Sequence, residues 1–92
     1  MNFEWDIEKQ EKNISKHVID CVQASQIFKS PVLQRKDNRK DYGEERLIAL
    51  GKFDGVVLCV VYTLRDNKLR IISAWKASKN DRKTYERACG QL

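Results

Sequence analysis

RLIALGKFDGVVLCVVYTLRDNKLRIISAW, residues 46–75, holds three apolar strand patterns separated by two short turns. RLIALG (46–51) and VVLCVVYT (56–63) flank residues 52–55, where Asp54-Gly55 supplies the backbone chemistry of a tight hairpin. A second turn at 65–68 leads into LRIISAW (69–75). VVLCVVYT is apolar at consecutive positions, so it reads as a central strand covered on both faces. An antiparallel sheet centred on 56–63 is therefore the expected core of the fold.

Reading outward, Phe3 and Trp5 alternate with polar neighbours and suggest a short opening strand. Asp6 is placed to cap a helix reaching about His17, with Ile7, Ile14 and Val18 as its sparse apolar positions. Asp20 followed by Gln23 has the capping-box pattern and would start a second helix, DCVQASQIF (20–28), ending before Pro31. Residues 32–34 read as a strand and 35–43 as a charged, mobile loop. Ser78, with Asp81 three residues on, opens a closing helix over SKNDRKTYERA (78–88). The order is β-α-α-β-β-β-β-α, which defines an α+β domain: two N-terminal helices and a C-terminal helix packed on an antiparallel sheet. Val57, Cys59, Val61, Ile71 and Phe28 are the expected core.

The 92 residues are expected to form one domain, 1–92, large enough to bury roughly 60–65% of its unfolded surface. No apolar run approaches the roughly 20 residues that cross a bilayer. The opening MNFEWDIEKQEKN has early acids and no apolar signal region, so a cytoplasmic protein is expected. Cys21, Cys59 and Cys89 are odd in number and widely spaced, and His17 is the one histidine. That set lacks zinc-ligand spacing, so neither disulfide, metal nor cofactor is expected, and Cys59 reads as a small core residue. Charge is sharply polarised. Residues 65–87 contain eight basic and three acidic side chains, a net of +5, while the rest of the chain holds ten of each. A basic surface of this kind attracts polyanions, phosphate backbones above all.

Trp5-Asp6, Asn13 with Lys16-His17, and Glu44-Glu45-Arg46 opening a strand form an ordered series of short motifs. Tyr62-Thr63, Arg70-Ile71-Ile72-Ser73-Ala74, Lys76-Ala77 and a basic helix with Tyr85-Glu86 complete it. The series resembles the BrnT family, the toxins of type II toxin–antitoxin pairs, over nearly the whole chain. The resemblance implies a RelE-like fold, RNA cleavage that arrests translation, and neutralisation by a BrnA-type antitoxin. That antitoxin's ribbon-helix-helix fold would give the complex its contact with operator DNA. One position departs: between Ala74 and Lys76 the family usually carries arginine, and this chain has Trp75.

A ribonuclease without metal needs a base for the 2′-hydroxyl, cations for the charge developing on phosphorus, and an acid for the departing 5′-oxygen. Arginine suits the middle role because its planar fork meets phosphate oxygens bidentately and stays charged. Arg46 and Arg70 are candidates because strands would hold them. In a regular strand Arg70, Ile72, Ala74 and Lys76 share one face, so Arg70 and Lys76 would flank one phosphate. Tyr62 is a candidate for proton transfer, Glu45 for the base as the carboxylate nearest Arg46, and Lys76 for an alternative base. Arg65, Lys79, Arg82 and Lys83 are candidate RNA contacts, and Trp75 a candidate stacking surface.

Each has a plainer reading. Arg46 with Glu45 is a solvated edge pair, Arg70 an outward strand residue and Tyr62 a core-rim tyrosine. Lys79, Arg82 and Lys83 form a solvated helix face or an antitoxin surface, and His17 caps a helix end. The leading expectation is a metal-independent endoribonuclease toxin leaving 2′,3′-cyclic or 3′-phosphate and 5′-hydroxyl ends. The alternative is a weakened or non-catalytic module that binds RNA or antitoxin on the same fold. Direct DNA reading by the C-terminal helix has no helix-turn-helix pattern behind it.

Overall fold

The computed structural model describes residues 2–6 and 19–89. The helix expected from Asp6 to His17 lies outside the described residues. The elements are β1 (Asn2–Trp5), α1 (Cys21–Gln26) running into a 3-10 turn (Ile27–Lys29), β2 (Leu33–Lys36), β3 (Leu47–Phe53), β4 (Val56–Arg65), β5 (Lys68–Lys76) and α2 (Lys79–Ala88). They form one five-stranded sheet in the order β1-β5-β4-β3-β2.

Strands joined by tight turns are obliged to run antiparallel, and β2 through β5 do. The α+β class and the antiparallel centre hold, with one addition. β1 reaches β5 from the far end of the sequence and pairs parallel to it, Phe3 opposite Leu69 and Trp5 opposite Ile71. Both hairpin turns place two successive residues in the left-handed region: Asp54 and Gly55 at φ 50° and 78°, Asp66 and Asn67 at 49° and 65°. That backbone matches the right-handed twist of the flanking strands, and Asp, Asn and Gly are the residues that tolerate it.

The helices begin where the polar signals lie. Asp20 Oδ1 accepts from the Gln23 amide at 2.7 Å while Gln23 Oε1 accepts from the Asp20 amide at 3.1 Å, a complete capping box. Ser78 Oγ accepts from the Asp81 amide at 3.2 Å and starts α2.

β4 occupies the middle of the sheet and is buried from Val57 to Thr63. On one face, Leu58, Val60 and Tyr62 join Leu69, Ile71 and Ala74 beneath α1, whose Ala24 and the following Ile27 are wholly enclosed. On the other, Val57, Cys59 and Val61 join Ile48 and Leu50 beneath Tyr85 of α2. Four of the five expected core residues are fully buried. Phe28 is at the rim instead, its ring edge-on to Tyr62 at 5.3 Å.

A bulge in β5 decides where the charges go. Val61 pairs with Ser73 but Tyr62 pairs with Ile71, so Ile72 has no partner of its own in the ladder. One extra residue inverts the alternation beyond it. Leu69 and Ile71 face α1, and past the bulge it is Ala74 that does so. Ile72 and Trp75 therefore both fall on the α2 face. The expected shared face of Arg70 and Lys76 does not form: Arg70 lies on the α2 side, and Lys76 lines a recess with Ile19, Phe53 and Leu58 on the α1 side.

Gly51 is where the 3-10 turn that follows α1 meets the sheet. A Cβ there would stand 2.6 Å from Ile27 Cβ, a contact no side-chain rotation relieves. Gly51→Ala is expected to cost about 1–3 kcal/mol through overpacking, and Ile27→Ala about 2–5 kcal/mol through the cavity it leaves. Urea unfolding measures both. A neutral Gly51→Ala would mean that the turn after α1 does not press on the sheet as described.

Candidate nucleic-acid cleft

α2 crosses the sheet near Leu50 and Cys59 and leaves the neighbouring part of that face uncovered. There an open cleft of about 610 Å³ is lined by Arg39, Lys40, Tyr42, Arg46 and Trp75, with Val61 in its floor. Ile72 and Ser73, the two residues at the bulge, complete the lining. The β5 irregularity thus widens the floor and turns Trp75 into the cleft.

The wall opposite Trp75 is the segment 37–46, whose first part falls in the loop 35–43 that the sequence reading leaves mobile. It is tied down by its own charges. Asp37 is the anchor: its amide donates to the Arg46 carbonyl at 2.8 Å, and its side chain has no accessible surface. Arg39 donates to it twice, Nε to Oδ1 and Nη2 to Oδ2, both at 2.8 Å, and the Arg39 amide adds a third bond at 3.2 Å. The Arg39 side-chain bonds, with help from the Arg39 amide and the Tyr42 hydroxyl, hold the Asp37 carboxyl far below the usual carboxylate range despite its burial. Farther along, the Gly43 amide donates to Asp41 Oδ1 at 2.9 Å, closing a short turn at a left-handed glycine.

Aromatic rings organise the cations. Arg39 Cζ stands 5.6 Å from the centre of the Trp75 ring. Tyr42 meets two cations, Arg46 Cζ at 4.2 Å and Lys40 Nζ at 5.2 Å. Each contact places a positive charge on the negative face of a ring. Glu44 fixes Arg46 from its other side, accepting from Nε at 3.1 Å, and its second oxygen accepts from Arg65 Nη2 at 2.6 Å. These bonds from Arg65 and Arg46 lower the Glu44 carboxyl below its ordinary value.

Of the expected site residues, Arg46 and Trp75 line this cleft. Arg70 is on the same side of the sheet, with Nη1 3.3 Å from Glu4 Oε1. Glu45 is displaced from its expected partner: Glu44 binds Arg46, whereas Glu45 lies 3.7 Å from Lys36 in an exposed pair. Tyr62 is on the α1 face, its hydroxyl donating to Gln34 Oε1 and its pKa raised by burial. Lys76 is also on that face. Arg65 is held by Glu44 at the sheet end, and Lys79, Arg82 and Lys83 project from α2 into solvent. Cys21 and Cys59 are buried, and burial pushes both thiols up to about 11, which makes them inert packing groups. The described residues contain no cluster of three or more His, Cys, Asp and Glu suited to a metal ion.

Arg39, Lys40 and Tyr42 are the cleft residues the sequence reading passes over. The signal was present in RKDNRKDY (35–42), where basic residues end on an aromatic one. Its density of charge, with two acids among four basic residues, made it read as solvated loop.

A small basic α+β domain with cations set against aromatic rings in an open sheet cleft has the charge and ring surfaces by which proteins take an RNA strand. Residues 5–81 match the family model described as "Ribonuclease toxin, BrnT, of type II toxin-antitoxin system", and the chain belongs to that family. Its RelE-like fold and its standing as a ribonuclease enzyme follow from that membership, as do an RNA substrate and a cognate antitoxin at the family's level of detail. No curated protein matches the chain. Among the described residues no helix is long and apolar enough to cross a membrane.

The depressed Asp37 carboxyl has a measurable consequence. Its stabilising effect is complete above its ordinary value of 3.8 and is lost as pH falls toward the lower folded-state value. Asp37→Asn is expected to be less stable than the parent at pH about 7, with the gap narrowing steadily below pH about 4. Thermal unfolding across this range tests it, and a gap independent of pH would deny that the ionised carboxylate anchors the segment.

Proposed function

We propose that this chain is a metal-independent endoribonuclease toxin that arrests translation and is neutralised by a BrnA-type ribbon-helix-helix antitoxin, through which alone it meets operator DNA. The observation that carries the reading is the convergence of Arg39, Lys40, Arg46, Tyr42 and Trp75 in one open cleft. Arg46 is the central group. Glu44 takes its Nε–H and the Tyr42 ring supports its face, which leaves both terminal nitrogens for phosphate oxygens. Charge gathers on those oxygens as the 2′-hydroxyl attacks, and a guanidinium already held in place stabilises it without reorganising.

The Tyr42 hydroxyl donates to Asp37 and so holds the wall of the cleft rather than moving a proton, and we assign the proton lost by the 2′-hydroxyl to water in the open cleft. Lys40, next to the same ring, supplies an ammonium proton for the departing 5′-oxygen. Arg70 and Arg65 extend the positive field at the sheet end, and the exposed Lys79, Arg82 and Lys83 extend it along α2.

Cleavage in EDTA tests the mechanism. It is expected to persist, leaving 2′,3′-cyclic or 3′-phosphate and 5′-hydroxyl ends, and to slow by about 10²–10³-fold in Arg46→Ala with unfolding unchanged. A need for a divalent ion, or 5′-phosphate ends, would overturn it. Trp75, where the resembled family usually has arginine, favours a second reading, a weakened nuclease that chiefly binds RNA or antitoxin. Trp75→Arg decides between them: cleavage by both forms supports the first reading, and cleavage by the arginine form alone supports the second.

A further inference from the structure

Arg39 and Arg46 line the same cleft but are held in different ways. Arg46 keeps its terminal nitrogens clear of Glu44, which binds it at Nε. Arg39 is locked along one edge by a carboxylate with no accessible surface, through Nε and Nη2 together, and so lies in the plane that the Asp37 carboxylate sets. Its charge is matched within the pair at hydrogen-bond distance. Its Cζ stands over the Trp75 ring, 5.6 Å from the ring centre, and 57% of the Arg39 side chain is exposed. What it offers the cleft is a flat, rigid, charge-compensated surface. Phosphate oxygens gain little from such a group, whereas nucleobases stack on guanidinium planes as they do on aromatic rings.

We infer that Arg39 is a nucleobase platform, oriented by Asp37 and backed by Trp75, so that the cleft binds RNA at an unpaired nucleotide whose base stacks on Arg39 while Arg46 takes phosphate. Duplex RNA is excluded, because its bases are already stacked on one another. Asp37 is then a positioning residue and Arg39 a specificity-determining one. This inference rests on the RNA-cleft reading above.

The test uses the full chain and an uncleavable 2′-O-methyl RNA oligonucleotide, single-stranded and then annealed to its complement, with affinity measured across salt concentrations. Single-stranded RNA is expected to bind the parent more tightly than the duplex. Arg39→Lys keeps the charge but loses the plane, and is expected to weaken binding about tenfold with the salt slope unchanged. Arg46→Ala is expected to reduce that slope by about 0.7, the signature of one lost phosphate contact on a single strand. One abasic position, found by scanning along the oligonucleotide, is expected to weaken the parent but to add nothing in Arg39→Lys. Asp37→Asn should reproduce the Arg39→Lys loss. In a Trp5→Phe background it should also alter Trp75 fluorescence, which reports the platform apart from overall folding. Full binding by Arg39→Lys, or a slope reduced by Arg39→Ala as by Arg46→Ala, would overturn the platform while leaving the RNA-cleft reading intact. Failure of the parent to bind RNA at any salt would overturn both.

Discussion

Burial of β4 on both faces is the constraint on which the other elements depend, because seven consecutive residues from Val57 to Thr63 are withdrawn from water. Such a strand needs a neighbour on each side to satisfy its backbone and a cover on each face to enclose its side chains. β3 and β5 supply the first through type I′ turns, and α1 and α2 contribute to the second. The covers are unequal. The 3-10 turn after α1 presses onto the sheet so closely that only glycine fits at position 51, while α2 leaves part of its face open. That opening is the cleft.

Charge pairing then fills the opening in a way that net charge conceals. The excess of +5 belongs to residues 65–87, but most of the cations in the cleft come from the segment 37–46, which contributes nothing to the excess. The segment's four acids outnumber its three cations on paper, yet two of them, Asp37 and Glu44, perform the opposite service in space. Asp37 orients Arg39 and Glu44 orients Arg46, and each of these two guanidiniums meets a ring. The exposed cations of α2 are suited to long-range attraction rather than to geometry.

Sequence periodicity reads the regular parts of this chain well and fails where one residue breaks the period. The central strand, both hairpins, the capping box at Asp20 and the start of α2 were all legible, since each rests on contacts within a few residues. Arg46 and Trp75 were legible as site candidates. The grouping of Arg70 with Lys76 was not, because Ile72 bulges and reverses the alternation beyond it. Tyr62 followed the same regular alternation to the face away from the cleft, and Tyr42 occupies the position by the cations instead. Glu44 rather than Glu45 meets Arg46, a difference of one residue that a strand end leaves open.

Taken alone, the sequence determined the α+β class, the buried middle strand, the turns and helix starts, and the family to which the ordered motifs belong. These follow from local steric preferences and from the apolar pattern of a strand that has to be enclosed. Tertiary structure decided the parallel docking of β1, the bulge in β5, and the folding of 37–46 against Trp75 and Arg46. Those features join residues dozens of positions apart. Their energies depend on distances between charges and rings that exist only once the sheet has formed.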